Sequence, residues 1–408
     1  MRCVIVGAGI VGICAALQLQ RDGHEVVVID RSGPAEGTSK GNAGLFAIGH
    51  VVPIGTPAIL KRVPAMLLDS TSPLTIRPSY LPRIAPWLIR LLAASTPRRV
   101  EAISHALAAI LAPALESYRP LLQSAGANDL VQRRGWLILY ETEASRRAAQ
   151  SDLDLRRSRG VRLEDLDEGT IRQLVPGLRP GPVWGVMQPD CEHTVDPYRL
   201  TVALAEAFVA QGGVIRRGDV RTGVTPDGRA QIASDGEPIA FDALVIAAGA
   251  WSRTMLRGLG DDAPLDTERG YHVMMENNID LRIPLLSADH RFSITPMTDG
   301  IRLGGTVEFA GLEAPPNPNR WEIMTQRTRA LLPGLKPEMR STWMGFRPSM
   351  PDSLPVIGPS PRHANVYYAF GHGHLGLTLG AVTGRMVADM IAGRPPAVEP
   401  MPYRITRF

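Results

Sequence analysis

Gly7, Gly9 and Gly12 stand in GxGxxG spacing between an apolar run, Cys3 to Val6, and a helical apolar pattern through Ile13, Leu17 and Leu19 to Arg21. Each glycine has a physical task. The first permits a tight turn, the second lets backbone approach a pyrophosphate, and the third lets helix pack close to strand. The N–H groups of the opening helix turn, including Ile10 and Val11, then face the phosphates from the positive end of the helix dipole. Asp30 closes a second apolar run, Val26 to Ile29, where a carboxylate accepts from ribose hydroxyls and disfavours a 2′-phosphate. Strand, glycines, helix, strand and acid in this order predict an adenine dinucleotide site, with NAD and FAD both open.

Other residues could work on a small substrate. Arg347 lies in "WMGFRPSMPDSLPVIG", between aromatic residues and prolines that stiffen its backbone. A fixed guanidinium grips a carboxylate with two parallel hydrogen bonds; a plain ion pair with nearby Asp352 accounts for it equally well. Tyr271 and His272, in "ERGYHV", are adjacent on a predicted strand, so only one of them faces a given side. His50, after "NAGLFAIG", is a further pocket candidate. In "YYAFGHGHLGLTLGAVTG", His372 and His374 have HxH spacing, which on a strand places both on one face. No Cys, Asp or Glu accompanies them, and no metal is expected. Gly376, Gly380 and Gly384 form a bare stripe on a helix starting near Gly376, open to a flat partner or to another backbone. The positive end of that helix suits a group that gains negative charge. The loop "RSGPAEGTSKGNAGL" offers Ser39, Asn42, Ala43 and Gly44 to a long cofactor, or is a surface loop.

The runs GAGIVG, VVVID and TSKGNAGL, with FDALVIAAGAWS, ERGYHV and GFRPSMPDSLPVIGP further on, resemble the FAD-dependent D-amino-acid oxidase superfamily, and in particular its bacterial D-amino-acid dehydrogenase group. The likeness spans nearly the whole chain and is weakest from about residue 53 to 182. It implies FAD as cofactor, with Arg31, Ser39, Asn42, Ala43 and Gly44 beside it. Val220 would meet the adenine through its backbone, and Ala248, Gly249 and Trp251 would lie close to the nucleotide. Gly373, His374, Leu375, Gly376, Leu377 and Thr378 would form the flavin floor. Arg347 becomes the carboxylate anchor, with Tyr271 able to share that carboxylate and His272 and His50 lining the pocket. His272 departs from the serine common in the dehydrogenase group. The activity implied is hydride transfer from Cα of a D-amino acid to flavin N5, giving an imine and then a 2-oxo acid. A cyclic imino acid or secondary amine (hydroxy-D-proline, D-proline, sarcosine) and a non-catalytic electron-transfer subunit are the alternatives. A quinone or other redox partner is implied as acceptor in preference to oxygen.

These side chains need a scaffold. The expected fold is α/β, a Rossmann-like FAD-binding domain interleaved with an antiparallel-sheet substrate domain. The first takes residues 1–53, 186–261 and 341–408; the second takes 54–185 and 262–340. At 408 residues, 44% hydrophobic and 21% charged, the chain has the balance of an ordinary globular protein. A net charge of +4, with arginines scattered along the chain, excludes a nucleic-acid stripe. Cys3, Cys14 and Cys191 show no CxxC spacing, so a reducing, cytoplasmic setting is expected. No targeting segment and no spanning helix are expected. The stretch from Tyr80 to Tyr118 reads as two amphipathic helices packed on the protein. Its Trp87, Leu88, Leu91 and Leu92 beside Arg83, Arg90, Arg98 and Arg99 leave contact with the inner face of a membrane open.

Overall fold

The computed structural model describes residues 1–69 and 71–408. Two sheets carry the architecture. The first has six strands in the order Val214–Arg217, Glu25–Asp30, Arg2–Val6, Ala243–Ile246, Val366–Phe370 and Val356–Pro359. Five run parallel and the last is antiparallel. Near-continuous Val and Ile suit strands covered on both faces. Two helices lie together on one face, the first helix Ile10–Arg21 and the C-terminal helix Gly376–Ile391. Their close approach answers the glycine stripe: a Cβ on Gly384 would stand 2.7 Å from the backbone of Cys14 and Ala15, and one on Gly380 would meet Ile10 and Tyr118. Those two glycines serve helix packing, not a flat ligand.

The second sheet has nine strands, and at one edge the order is Met339–Ser349, Asp266–Met275, Gly300–Phe309, Phe292–Met297. One face carries Tyr271, Val273, Leu303 and Ile301 against the helix Asn319–Leu331 in a core of its own. The other face turns toward the nucleotide elements.

Both sheets are assembled from distant segments, as expected, but the boundaries fall elsewhere. Trp184–Gln188 and Met339–Ser349 belong to the large sheet, so residues 186–188 and 341–349 lie with the substrate side. The helices Pro97–Leu111 and Ala114–Ser124 belong with the nucleotide side. Ile103, Leu107, Ile110, Tyr118 and Leu121 share the core beneath the C-terminal helix, and the Tyr118 hydroxyl donates to the Leu377 carbonyl at 2.5 Å. Together these helices are long and apolar enough to cross a bilayer, contrary to the sequence expectation. Nearly half of that stretch is buried inside the protein, as for a core helix pair.

Candidate active site

Arg347 stands in the Met339–Ser349 strand, opposite Glu268 and on the face turned toward the nucleotide elements. It lines a cavity of about 750 Å³ bounded by the large sheet, the loop from Gly41 to Gly55, the helices Pro57–Leu68 and Leu81–Ala94, and His374. Its side chain crosses Gly270, where a Cβ would lie 2.3 Å from the guanidinium carbon. Beyond Gly270, Nη1 donates to the Thr306 carbonyl at 2.7 Å and Nη2 to the Gly305 carbonyl at 3.2 Å. A register shift between Arg269 and Tyr271 and a left-handed Thr306 (φ 56°) turn those carbonyls toward the arginine. Two of five N–H groups are thus used in holding the fork, and the rest remain for a ligand. Asp352 is bound bidentately by Arg407, at 2.7 and 3.2 Å. The Arg347–Asp352 pairing that the sequence also allowed is absent. Burial lowers the pKa of Arg347 and Glu268 opposes that shift; a guanidinium keeps its charge regardless.

Tyr271 does not share this duty. It sits on the opposite face, its ring packed edge-on against Trp321 (5.7 Å between centroids). Its hydroxyl donates to Glu308 and accepts from the Asn317 N–H. Glu308 also takes Arg77 at 2.9 Å, so the tyrosine belongs to a buried structural network. Burial and the bond to Glu308 raise its pKa to about 12. His272 shares the face of Arg347, as alternation requires, but stacks on Trp343 (5.2 Å, 18°) with Nδ1–H donating to the Gly41 carbonyl at 3.1 Å. Burial, with Arg302 nearby, lowers its pKa to about 3. It is a neutral packing residue between the sheet and the Gly41 loop.

His372 and His374 do not lie on a strand. Gly373–Leu375 is a 3-10 turn, and the two rings diverge. His372 Nε2 meets the Thr383 hydroxyl at 2.9 Å, away from the cavity. His374 turns into the cavity and meets His50 edge-on, 4.3 Å between centroids. Among the described residues, His374 Nε2 and His50 Nδ1 are buried without a partner. Burial comes first among the causes that lower both pKa values, that of His374 to about 4, and Arg156 adds to the effect on each. Both imidazoles are neutral at pH 7. Leu375, Leu377 and Thr378 turn inward, the Thr378 hydroxyl accepting from the Ala47 N–H and donating to the Leu45 carbonyl. Only the turn and the first backbone N–H groups of the C-terminal helix are left to face a ligand.

At the nucleotide end, Gly7 (φ 113°) and Gly12 build the turn, and a Cβ on Gly12 would stand 1.9 Å from the Gly7 carbonyl oxygen. Gly9 caps the first helix with no side-chain partner for the opening N–H groups, although the Ile10 N–H donates to the Ser39 hydroxyl at 3.0 Å. Asp30 accepts from the N–H groups of Ala8, Ser32 and Gly33 at 2.8 to 3.0 Å. These bonds fix the carboxylate at the strand end. Arg31 lies over the Trp251 ring, 3.7 Å from its centroid, beside the turn Gly249–Trp251. Val220 is buried at the start of a strand in a separate three-stranded meander.

Residues 2–390 match the DAO family, described as FAD dependent oxidoreductase. The chain belongs to that family. It is 40% identical to a D-amino-acid oxidase of Bradyrhizobium diazoefficiens, over 99% of this chain and 98% of that one. It is 31% identical to a D-amino acid dehydrogenase of Rhizorhabdus wittichii over the full length of both. Among solved structures, iminodiacetate oxidase from Chelativorans sp. BNC1 superposes with a TM-score of 0.76 at 22% identity, covering 99% of each chain. Glycine oxidase from Geobacillus kaustophilus gives 0.75 at 21%, covering 100% of this chain and 99% of the other. At such identities the structures establish the fold alone.

The residues present fit the family's FAD. The glycine turn leaves no room for side chains but leaves helix N–H groups free for a pyrophosphate. The orphaned His50 and His374 nitrogens and the Gly41–Ala43 backbone border the cavity where a flavin ring would lie. Asn42 holds its own loop, Oδ1 accepting from the Gly44 N–H at 2.8 Å. Sequence reasoning overlooked Gly270 and Glu268. Alternation from His272 would have found both, since 268, 270 and 272 share one face. Gly270→Ala is expected to push the guanidinium off its carbonyls and raise KM at least tenfold, with the flavin spectrum unchanged. Steady-state kinetics on the holoprotein read this; an unchanged KM would mean the fork position does not matter.

Proposed function

We propose that the protein oxidatively deaminates a D-amino acid to an imine and then a 2-oxo acid. The observation that carries this reading is Arg347, a braced guanidinium in the wall of the cavity with N–H groups to spare. It receives the substrate carboxylate and fixes the orientation of Cα, a task in which geometry sets the rate. FAD supplies the hydride acceptor. His50 and His374, neutral, border the reacting region without adding charge. Apolar walls from Ile59, Leu60, Trp87, Leu91 and Ile138 keep bulk water away. The relatives named above act on D-amino acids by name, which supports the choice of enantiomer. Incubation with D- and L-amino acids tests it: a 2-oxo acid and ammonia form from D-substrates, and formation from L-substrates alone would refute it.

The names of those relatives divide between oxidase and dehydrogenase. The mouth of the cavity favours a quinone or other redox partner over oxygen. The helices Pro57–Leu68 and Leu81–Ala94 form it and expose Leu67, Leu68, Leu81, Ile89 and Leu92, with Leu68 89% exposed. Residues 57–94 hold five Lys or Arg and one acid, Asp69. That combination suits peripheral contact with an anionic bilayer on the cytoplasmic side. The holoprotein is expected to sediment with vesicles of 30% phosphatidylserine, and Leu68→Asp with Ile89→Asp to release it. Equal sedimentation of both would contradict the contact.

A further inference from the structure

Glu268 brings a carboxylate to the wall of the cavity that Arg347 lines. It stands opposite Arg347 in the antiparallel ladder, so the two side chains leave one face of the sheet about 5 Å apart at Cβ. Both line the cavity. Glu268 is 5% exposed, and Ser349, two residues beyond Arg347, is paired with Asp266 on the Glu268 strand. Yet Glu268 and Arg347 are not closed on each other: the bonded N–H groups of Arg347 go to Gly305 and Thr306. A cation and an anion, adjacent, each with unused hydrogen-bonding capacity and each facing the same cavity, match the two charges of an amino-acid zwitterion.

We propose that Glu268 is a catalytic residue that binds the substrate's α-ammonium group and takes a proton from it before the Cα–H bond breaks. This rests on the reading of the site as an amino-acid oxidising centre. With the substrate carboxylate on Arg347, the nitrogen lies one carbon away, on the side of the site that Glu268 borders. An N–H bond breaks, its proton passes to a Glu268 oxygen, and the electron pair stays on nitrogen. That pair then forms the C=N bond as the α-hydrogen leaves with its two electrons to the oxidised FAD. Water hydrolyses the imine, and the Glu268 proton returns to solvent or to the departing ammonia.

The surrounding groups favour this choice of base. His50 and His374, the imidazoles in the same cavity, are made weak bases by burial. Glu268 moves the other way: burial raises its pKa, with Asp266 on its own strand adding to the effect, while Arg347 and Ser349 on the neighbouring strand lower it. Asp266 is itself held by the Tyr80 hydroxyl at 3.0 Å. From the turn before the C-terminal helix come His372, paired to Ser349 by a backbone bridge, and His374. From the strand on the other side comes Thr306.

The test is anaerobic flavin reduction by a D-amino acid between pH 6 and 10, with wild-type, Glu268→Gln and Glu268→Asp holoproteins. General-base catalysis contributes on the order of 10²-fold or more. Glu268→Gln is therefore expected to reduce about 100-fold more slowly at pH 7. It should recover to within a few-fold of wild type by pH 10, where the substrate brings its own free amine. Glu268→Asp should fall between. Binding gives a second reading: Glu268→Gln should weaken 2-aminoisobutyrate, which has the ammonium but no α-hydrogen, and leave isobutyrate unaffected. A deficit independent of pH, or an unchanged profile, overturns the proposal while the D-amino-acid reading stands. A wild type that no D-amino acid reduces overturns both.

Discussion

Arg347→Met is expected to raise KM for the D-amino acid substrate at least 100-fold while the bound flavin keeps its visible spectrum. Removing a buried, hydrogen-bonded partner of a charged ligand costs about 2–5 kcal/mol, and each 1.4 kcal/mol is about tenfold. Methionine is close in length and leaves the strand pairing intact, so loss of packing is small. The guanidinium touches carbonyls of the neighbouring strand, not the glycine turn that would hold the nucleotide. Steady-state kinetics with a flavin absorbance spectrum on the same preparation check both halves. Loss of flavin would assign Arg347 to cofactor binding; an unchanged KM would remove it from the site.

Gly12→Val is expected to yield protein with less than a tenth of the wild-type flavin content. A Cβ there would stand 1.9 Å from the Gly7 carbonyl oxygen and 3.0 Å from its carbon. Both belong to backbone, so the strain cannot be relieved by turning a side chain. The first helix must lift from the turn, and its N–H groups leave the position where they would meet the pyrophosphate. Overpacking alone costs about 1–3 kcal/mol, so a lower melting temperature accompanies the loss. Gly37→Ala is the matched control, because nothing lies within 4 Å of a Cβ at that site. Flavin-to-protein absorbance ratios decide the matter. Full flavin in Gly12→Val would refute the assignment of this turn.

The nucleotide half was legible because its signals are local. Glycine spacing, an apolar strand and a closing acid lie within thirty residues, and each has one structural use. The C-terminal glycine stripe was legible as a close approach but not in its partner: the stripe meets the first helix, some 370 residues earlier in the chain. HxH spacing misled because it presumed a strand, whereas Gly371 (φ 81°) and Gly373 (φ 55°) curl the backbone into a turn that separates the rings. Tyr271 was assigned the wrong side because alternation sorts neighbours into faces without saying which face is inward. That choice was settled by Glu308, Asn317 and Trp321, all distant in sequence. Domain boundaries failed at Met339–Ser349 for a similar reason, since only pairing with Asp266–Met275 assigns that strand to the large sheet.

The most direct measurement is the visible spectrum of the purified holoprotein under anaerobic conditions, on addition of paired enantiomers such as D- and L-alanine and D- and L-proline. The oxidised flavin band is expected to bleach with at least one D-compound and to persist with its L-enantiomer. A flavin band that L-enantiomers alone bleach, or that no amino acid bleaches, would contradict the D-amino-acid reading.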